Sequence, residues 1–138
     1  MTYWLAIGPL DNWKLGMQKG GVWGFTARYK STWARLKSGD ILIFYTMKPV
    51  KGIIGYGTIK SKEEEKKLFW PQEVKEGNVL WPLRIHFNID FCIAYSKWET
   101  DKIPLPPLSQ GITIQRALQE IKENVARDIL DSFPKVKK

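Results

Sequence analysis

Cysteine and histidine are nearly absent from this sequence of 138 residues, which contains one of each, Cys92 and His86. A single cysteine excludes a disulfide within the chain, and so small a set excludes a zinc site built from Cys and His ligands. Cys92 is expected to be a small buried hydrophobic residue. His86 has no serine or cysteine nearby to activate, so we expect it to face solvent rather than act as a general base. The sequence thus predicts a protein with no metal site, no cofactor and no enzymatic activity.

Long apolar runs and phosphate-binding loops are also missing. No apolar stretch approaches the ~18 residues that a membrane span needs, and the N-terminus lacks the basic and apolar segments of a secretory signal. We therefore expect a cytoplasmic protein with no membrane partner. The glycines Gly16, Gly20, Gly21 and Gly24 do not have the spacing of a P-loop or of a dinucleotide-binding turn. The acidic run at 63–65 lies among lysines and is expected to be a solvated turn.

Basic residues and tryptophan, in contrast, are abundant. The chain has 22 Lys and Arg residues against 14 Asp and Glu, a formal net charge of +8, and seven Trp. This charge favours a polyanionic partner, of which nucleic acid is the commonest. The length suits one compact domain, which we place at residues 1–134, followed by a basic, disordered tail at 135–138.

The spacing of apolar residues predicts an α+β domain around a small, curved sheet or barrel. Asp11 and Ser31 are expected to cap two short helices, and Thr113 to cap a long C-terminal helix with a buried apolar stripe along 114–129. The lysine- and glutamate-rich stretch 61–78 is expected to be a long, partly mobile connection. Strands are predicted at 3–8, 40–47, 53–60, 81–89 and, more briefly, 91–95.

Trp23 lies among glycines and is followed by a basic stretch. Flanking glycines let the backbone take unusual dihedral angles and let a ligand approach closely. The indole offers a flat apolar face with one N–H at its edge, which is how an aromatic wall is presented to a base. Nearby Arg28 and Lys30 could neutralise phosphates, and each stacked base would contribute about 1–3 kcal/mol. A core tryptophan beside a flexible turn is an equally good interpretation of these residues alone.

Three other tryptophans have different settings in the sequence. Trp33 pairs with Leu36 and is expected to pack inward. Trp81 heads an apolar strand face, so the core is its default position. Trp70 lies in a polar stretch and has the least core-like setting, which makes it the candidate for a lid or a second wall.

Several short segments, taken in order and spacing, resemble the EVE domain family, which lies within the PUA-like superfamily and is related to YTH domains. The likeness runs from about Tyr3 to Leu108. It is carried by Tyr3-Trp4-Leu5, Asp11-Asn12-Trp13, Val22-Trp23-Gly24, Leu36-Lys37-Ser38-Gly39-Asp40 ahead of an apolar strand that ends at Tyr45, Ile53-Ile54-Gly55, and Trp81-Pro82-Leu83-Arg84-Ile85.

The resemblance implies a PUA-like pseudo-barrel of about five to six strands, with short helical insertions, a C-terminal helix and a pocket for one nucleobase. By likeness to YTH domains, Trp23 would form one wall of an aromatic cage and Asn12 would bond the base edge, with one extra residue between them here. Trp70 would form the second wall, with Trp81 in reserve. Gly24 stands where YTH domains have Ser or Ala. The implied base pocket contains Asn12, Trp23, Gly24, Phe25, Tyr45, Trp70 and Trp81, and the expected phosphate contacts are Arg28, Lys30 and Arg84.

We therefore expect a non-enzymatic reader of a methylated or hydroxymethylated base in DNA or RNA. A methyl group in a shaped apolar pocket is worth roughly 1–3 kcal/mol, and a base must be extruded or already single-stranded to enter it. Two alternatives stay open. One is a domain that binds structured RNA by shape, without a base pocket. The other is a small-molecule enzyme or sensor that uses the same pocket, with His86 as its only obvious acid–base group. The oligomeric state is also open.

Overall fold

Six strands and five α-helices make up the part of the chain that the computed structural model describes, residues 1–105 and 111–133. The predicted tail at 135–138 lies outside it. Two 3-10 turns, Ala27–Tyr29 and Tyr95–Lys97, precede α2 and α4. In chain order the elements are β1 (Tyr3–Gly8), α1 (Leu10–Gln18), β2 (Val22–Phe25), α2 (Lys30–Ala34), β3 (Ile41–Thr46), β4 (Gly52–Glu64), α3 (Pro71–Glu76), β5 (Leu83–Cys92), α4 (Trp98–Asp101), β6 (Leu118–Ile121) and α5 (Glu123–Asp131).

All six strands belong to one sheet, in the order β2-β5-β4-β3-β1-β6. β1 and β3 run parallel, and every other neighbouring pair is antiparallel. The sheet curls into a half-barrel, which confirms the predicted α+β class and small curved sheet. Because β1 and β3 are parallel and in register from Tyr3↔Ile41 to Gly8↔Thr46, their carboxyl ends meet at one edge of the molecule.

The parallel pair forms the centre of the core. Every residue of β1 is buried, and β3 is buried at 42–46, as expected for strands that read as continuous apolar runs and are covered on both faces. Asp40 fixes the start of this pair. Its buried carboxylate accepts hydrogen bonds from the Thr2 N–H (3.0 Å), the Trp4 Nε1–H (3.0 Å) and the Lys37 N–H (3.1 Å).

β4 and β5 approach each other closely at Gly55 and Gly57. A Cβ at Gly57 would lie 2.1 Å from the Asn88 carbonyl oxygen, and one at Gly55 would lie 2.3 Å from the Phe91 carbonyl oxygen. No side chain tolerates such contacts, so both positions need glycine. The neighbour at both positions is the β5 backbone.

The prediction of a long connection over 61–78 is wrong in its extent. β4 continues to Glu64, where it still pairs with β5, and α3 occupies Pro71–Glu76. The acidic run at 63–65 therefore ends a strand. Its side chains are largely exposed, so the composition looks like that of a loop although the backbone makes the hydrogen bonds of a sheet.

The long helix predicted from Thr113 is wrong in its first half. Leu118 and Ile121 lie in β6, which pairs with β1, and the helix α5 begins only afterwards. Both residues are buried, as the predicted stripe required. However, the open edge of β1 offers backbone partners that a helix would leave unpaired. Ile114, predicted to lie in the buried stripe, is 57% exposed.

The short helices are placed correctly, but their caps differ. α1 begins one residue before Asp11, which puts this carboxylate in the first turn, where it still favours the helix dipole. Ser31 is the second residue of α2 rather than its cap. The short strand expected at 91–95 is in part the end of β5, and a 3-10 turn follows it.

A buried ion pair organises the segment between β4 and β5. The Arg84 Nη2 atom in β5 lies 3.2 Å from the Glu73 Oε1 atom in α3, and the side chains are 5% and 0% exposed. The Arg84 side chain also donates to the carbonyl groups of Lys67 and Trp81. The Glu73 carboxylate in turn accepts four backbone N–H groups, those of Phe69 (2.8 Å), Trp70 (3.2 Å), Leu80 (2.9 Å) and Trp81 (3.0 Å).

Replacing Glu73 by glutamine is expected to lower the free energy of unfolding by about 3–5 kcal/mol. The change removes the charge that neutralises buried Arg84 and turns one accepting oxygen into an NH₂ donor that faces backbone N–H groups. Urea unfolding followed by tryptophan fluorescence measures the loss. Glu76→Gln, on the exposed side of the same helix, is the matched control, and its effect should stay within about 0.5 kcal/mol. Equal stabilities of Glu73→Gln and the wild type would contradict this role.

Candidate functional site

The predicted cage residue Trp23 is buried and stacked on a second tryptophan. Its side chain is 2% exposed, and its ring lies parallel to that of Trp13, with centroids 3.5 Å apart and planes inclined by 6°. Trp13 is fixed by a hydrogen bond from its Nε1–H to the Tyr45 carbonyl oxygen (2.8 Å). One face of Trp23 is therefore taken by an indole of the chain itself.

Trp70 and Trp81 extend this pair into an aromatic cluster of four residues, Trp13, Trp23, Trp70 and Trp81. The Trp70 ring meets those of Trp23 and Trp81 edge to face, at centroid distances of 6.3 and 5.8 Å. Gly24 makes this packing possible, since a Cβ there would lie 2.5 Å from the Trp70 ring. Trp70 is fully buried, the opposite of the setting that its polar neighbours in sequence indicated. The structure thus brings the three predicted tryptophans together as a packed group.

Two indole N–H groups of the aromatic cluster, those of Trp23 and Trp70, are buried and make no hydrogen bond with any described residue. A buried donor without an acceptor costs about 1–3 kcal/mol. Edge-to-face contacts between aromatic rings offset part of this cost. The two rings are therefore held by packing rather than by hydrogen bonds.

Asn12 and Phe25 lie beside the aromatic cluster. Asn12 precedes Trp13 in α1, and Phe25 is on the same face of β2 as Trp23. Both side chains are buried, and the Phe25 ring packs near that of Tyr29, at a centroid distance of 6.4 Å. Asn12 is thus the sequence neighbour of Trp13, and Phe25 lies two residues from Trp23 on the same strand face; both are in the core.

The three predicted phosphate contacts have different surroundings. Arg28 is exposed, and no carboxylate of the described residues pairs with it. The Lys30 Nζ atom lies 3.0 Å from the Glu64 Oε1 atom in an exposed pair, which is weak. Arg84 is buried with Glu73 and does not reach the surface, so we reassign it to a structural role. The alternation of β5 indicated a solvent-facing side chain, but α3 and the segment around it cover that face.

His86 and Cys92 stand apart from the aromatic cluster. The His86 Nε2 atom lies 2.7 Å from the Glu63 Oε1 atom at the surface of the sheet. Cys92 is half-buried rather than buried, and desolvation raises the pKa of its thiol to about 11. The thiol therefore stays protonated and is a poor nucleophile at neutral pH.

Within residues 1–105 and 111–133, no group of three or more His, Cys, Asp or Glu side chains is arranged to hold a metal ion. In the same part of the chain, no helix has the length and apolar character to cross a membrane.

An open pocket of about 570 Å³ lies at the carboxyl ends of β1 and β3. Met47 and Ile114 are 48% and 57% exposed, so apolar surface faces solvent inside it. Adjacent exposed apolar side chains in a concave site are typical of ligand-binding surfaces. The open pocket is lined by Pro9, Tyr45, Met47, Lys48, Lys51 and Ile114.

The aromatic cluster lies directly behind the open pocket. A Cβ at Gly8 would lie 2.1 Å from the Trp23 Cζ2 atom, so the Trp23 ring packs against the last residue of β1. The Trp13 indole is bonded to Tyr45 at the end of β3, and the Met47 N–H donates to the Gly8 carbonyl oxygen (3.0 Å). The two strand ends that form the pocket are thus supported by the stacked tryptophans.

The charge around the open pocket is positive. Its lining includes Lys48 and Lys51 and no acidic residue, and neither lysine is paired with a carboxylate in the described part of the chain. Lys51 has a φ of 53°, a left-handed backbone conformation that is rare for residues with a side chain. Burial raises the pKa of Tyr45 above its ordinary value, so its phenol remains a hydrogen-bond donor at neutral pH.

A polar pocket of about 370 Å³ is lined in part by the residues on either side of Ile114 in the sequence. Arg28 and Arg116 line it, together with Thr32, Thr113 and Gln115. The Tyr29 hydroxyl accepts a hydrogen bond from the Ala117 N–H (2.8 Å), which holds the segment around Ile114 beside the 3-10 turn before α2. Two guanidinium groups with hydroxyl and amide neighbours suit a phosphate.

Sequence reasoning identified Tyr45 but no other residue of the open pocket. Pro9 and the loop at 47–51 directly follow β1 and β3, which were predicted as buried strands. Parallel pairing of these two strands would have placed both segments at one edge, but nothing local in the sequence encodes it. Ile114 was missed because it was assigned to a helix.

Comparison with known protein sequences gives partial matches. No family model matches the chain. A UPF0310 protein of Pyrococcus abyssi is 49% identical over 45 residues, and a UPF0310 protein of Pyrococcus horikoshii is 40% identical over 45 residues. Each match covers 33% of this chain, and 31% and 30% of the two relatives. The chain thus matches about a third of the length of these curated proteins.

Solved structures match nearly the whole chain at low sequence identity. A protein from Rhodopseudomonas palustris has a TM-score of 0.63 at 13% identity, over 96% of this chain and 92% of that one. The Mmi1 YTH domain in complex with RNA has a TM-score of 0.62 at 12% identity, over 94% and 76%. The fold is PUA-like. An ASCH protein from Zymomonas mobilis has a TM-score of 0.63 at 9% identity, over 95% and 98%. The chain thus has the same fold as the Mmi1 YTH domain, as the resemblance implied, while membership of the EVE family stays a prediction.

Trp23→Ala is expected to lower the free energy of unfolding by about 3–5 kcal/mol, because it empties a fully packed site beside Trp13 and Trp70. Trp81→Ala, at the half-buried rim of the same cluster, is the comparison variant and should cost less. Urea denaturation measures both. If Trp23→Ala unfolds with nearly wild-type stability, the ring is not part of a packed core and is free to serve a ligand.

Proposed function

We propose that this chain binds nucleic acid by accepting one base of a single strand in the open pocket, while basic side chains around the pocket contact the neighbouring phosphates. The open pocket carries this proposal, since it combines apolar walls with two lysines in a chain of net charge +8. A nucleotide presents the matching features, an apolar base face next to a negative phosphate.

The dimensions and lining of the open pocket support a base as its occupant. Its volume of about 570 Å³ lies within the range of about 300–1,000 Å³ that small-molecule sites have. Met47 and Ile114 supply apolar contact surface, and Tyr45 supplies a protonated phenol. Because stacked tryptophans support the pocket from behind, it is largely pre-formed and little binding energy is lost in ordering it.

The phosphates would lie along two basic positions. Lys48 and Lys51 line the open pocket, and Arg28 and Arg116 line the polar pocket beyond Ile114. Arg28 therefore keeps its predicted role in this proposal. Lys30 is placed as a secondary contact because it must first leave Glu64, and Arg84 is left out because it is buried.

The PUA-like fold supports the same class of partner. Among the solved structures with this fold is the Mmi1 YTH domain, which was determined in complex with RNA. We extend nucleic-acid binding to this chain on the strength of its own pocket and charge, and the choice between DNA and RNA is left to experiment.

For the base itself, we propose a methylated or hydroxymethylated base as the preferred ligand. Trp13 covers one face of Trp23 and the Trp23 side chain is 2% exposed, so a base that stacks on Trp23 would have to displace core side chains. The open pocket would receive a base without such a rearrangement. A methyl group would then contact Met47 and Ile114. In this proposal the aromatic cage of Trp23, Trp70 and Trp81, with Asn12, Gly24 and Phe25 beside it, is the support of the pocket rather than its inner surface.

The two alternative functions are supported unequally. The polar pocket with Arg28 and Arg116 favours phosphate contacts, which a binder of structured RNA would use without any base pocket. The enzyme alternative had His86 as its only obvious acid–base group, and His86 is paired with Glu63 and does not line the open pocket. Structured-RNA binding is therefore the second candidate.

The double variant Lys48→Gln/Lys51→Gln tests the phosphate contacts. Each phosphate contact that is lost should reduce the slope of log K against log salt by ~0.7 for a single strand, so a reduction of up to ~1.4 is expected. Fluorescence anisotropy of a labelled single-stranded oligonucleotide at several salt concentrations measures this slope. Lys75→Gln, in the exposed part of α3, is the matched control and should leave the slope unchanged. The proposal fails if the double variant and the control behave alike.

A panel of single-stranded oligonucleotides that carry methylated cytosine, hydroxymethylated cytosine or methylated adenine tests the choice of base. We expect at least about tenfold tighter binding of one modified base over its unmodified form, and Met47→Ala should reduce this preference because it shortens the apolar wall. Intact duplex should bind more weakly, since extrusion of the base costs a few kcal/mol. Equal binding of all single strands, with tighter binding of folded RNA, would favour the structured-RNA alternative instead.

A further inference from the structure

Tyr95 is an exposed aromatic side chain on a rigid support. It begins the 3-10 turn after β5 and is 48% exposed. Its ring packs edge to face on Trp98, with centroids 5.0 Å apart and planes inclined by 68°. Trp98 is itself buried, and its Nε1–H donates to the Ile93 carbonyl oxygen (2.6 Å). The support therefore fixes the Tyr95 ring while leaving much of it in solvent.

Small concavities flank this ring on both sides. One of about 260 Å³ is formed with Leu10, Pro49 and Val50, and another of about 290 Å³ is formed with Lys14 and Met17 of α1. Tyr95 and Trp98 line both of them. We call the two together the Tyr95 groove.

The Tyr95 groove and the open pocket are separated by a single loop. Pro49 and Val50 line the groove, while Met47, Lys48 and Lys51 of the same loop line the open pocket. The start of α1 also serves both, since Pro9 lines the pocket and the next residue lines the groove. A strand with one base in the open pocket would reach Tyr95 along α1, from Pro9 toward Lys14.

The charge near Tyr95 matches a phosphate backbone. The Lys14 Nζ atom lies over the Tyr95 ring, 4.6 Å from its centroid, so a base that stacks on this face would displace the ammonium group toward its own phosphate. Exposed Lys97 ends the same 3-10 turn. Glu99 lines the side of the groove near Pro49, which repels phosphate there and favours a path on the Lys14 side. A half-exposed aromatic ring next to lysines is the arrangement that stacks a base and neutralises its phosphate.

We propose that Tyr95 stacks a second base of the same single strand, close along the strand to the base held in the open pocket. This inference rests on the proposed function, because it assigns a further contact to the same ligand. It makes the chain a reader of a short single-stranded segment rather than of one isolated nucleotide. Tyr95 thereby adds affinity that does not depend on any base modification, since every base has a stacking face.

Affinity as a function of strand length tests this assignment. The ligands are adenosine monophosphate and oligoadenylates up to the hexamer, in RNA and DNA form, and binding is followed by tryptophan fluorescence. The wild type should gain affinity once the strand is long enough to reach Tyr95. Tyr95→Ala should bind the hexamer at least about fivefold more weakly, the lower end of the range for one stacked base, and should bind the mononucleotide as the wild type does. Tyr95→Phe keeps the ring and should retain wild-type affinity for both.

The outcomes separate the two proposals. If Tyr95→Ala binds the hexamer as well as the wild type does, while Lys48→Gln/Lys51→Gln binds it more weakly, the stacking role of Tyr95 is wrong and the open pocket stands. If neither variant changes binding, or the wild type binds no oligonucleotide, the proposed function fails as well. If Tyr95→Ala weakens the mononucleotide as much as the hexamer, the ring acts on the first nucleotide and the second stacking site is wrong. The far-UV circular dichroism and melting temperature of each variant verify that it is folded.

Discussion

The buried pair of Glu73 and Arg84 is the interaction on which the aromatic half of this molecule depends. One carboxylate binds the backbone on both sides of α3 and so fixes the positions of Trp70 and Trp81 against Gly24. The Trp70 ring then bounds Trp23, and Trp23 in turn lies parallel to Trp13. Five donors around this carboxylate satisfy its oxygens in the interior, which a buried ion pair needs in order to be stable. Trp23 and Trp13 contact the ends of β1 and β3, which line the open pocket.

Part of the fold could be predicted from the sequence because local patterns determine it. β1 and β3 are apolar on both faces and end where polar or proline residues begin, so their positions were predicted correctly. The C-terminal region was not, because the spacing of Leu118, Ile121, Val125 and Ile129 satisfies a helix as well as it satisfies a strand followed by a helix. Residues 118–121 form a strand because the edge of β1 is available for pairing. This pairing joins segments far apart in the sequence, so the local pattern of apolar residues does not predict it.

Three of the four members of the aromatic cluster were named from the sequence, but only Tyr45 of the open pocket was. The glycines around Trp23 were expected to let a ligand approach the ring, and Trp70 was expected to be a lid or second wall. Both stay predictions, and the structure packs the Trp70 ring edge to face with that of Trp23. The sequence does not show whether a ligand or another side chain occupies the space against the Trp23 ring. In the structure, Trp13 occupies the space on one face of that ring. Arg84 was misplaced for a similar reason. A basic residue on the polar face of a strand is expected to face solvent. In the structure, α3 covers this face and its Glu73 carboxylate pairs with Arg84.

Selectivity for a base and affinity for a strand have different physical sources in this molecule. Recognition of one methyl group in an apolar pocket is limited to roughly 1–3 kcal/mol, and a pocket as open as this one recovers only part of that range because solvent still reaches the ligand. Useful affinity must then come from contacts that do not depend on the modification, such as lysines at the pocket and stacking on an exposed ring. In this molecule the pre-formed apolar pocket determines which base is preferred. The basic, aromatic surface around the pocket determines the affinity for the strand. Without that affinity the strand would dissociate before the preference for a base could have an effect.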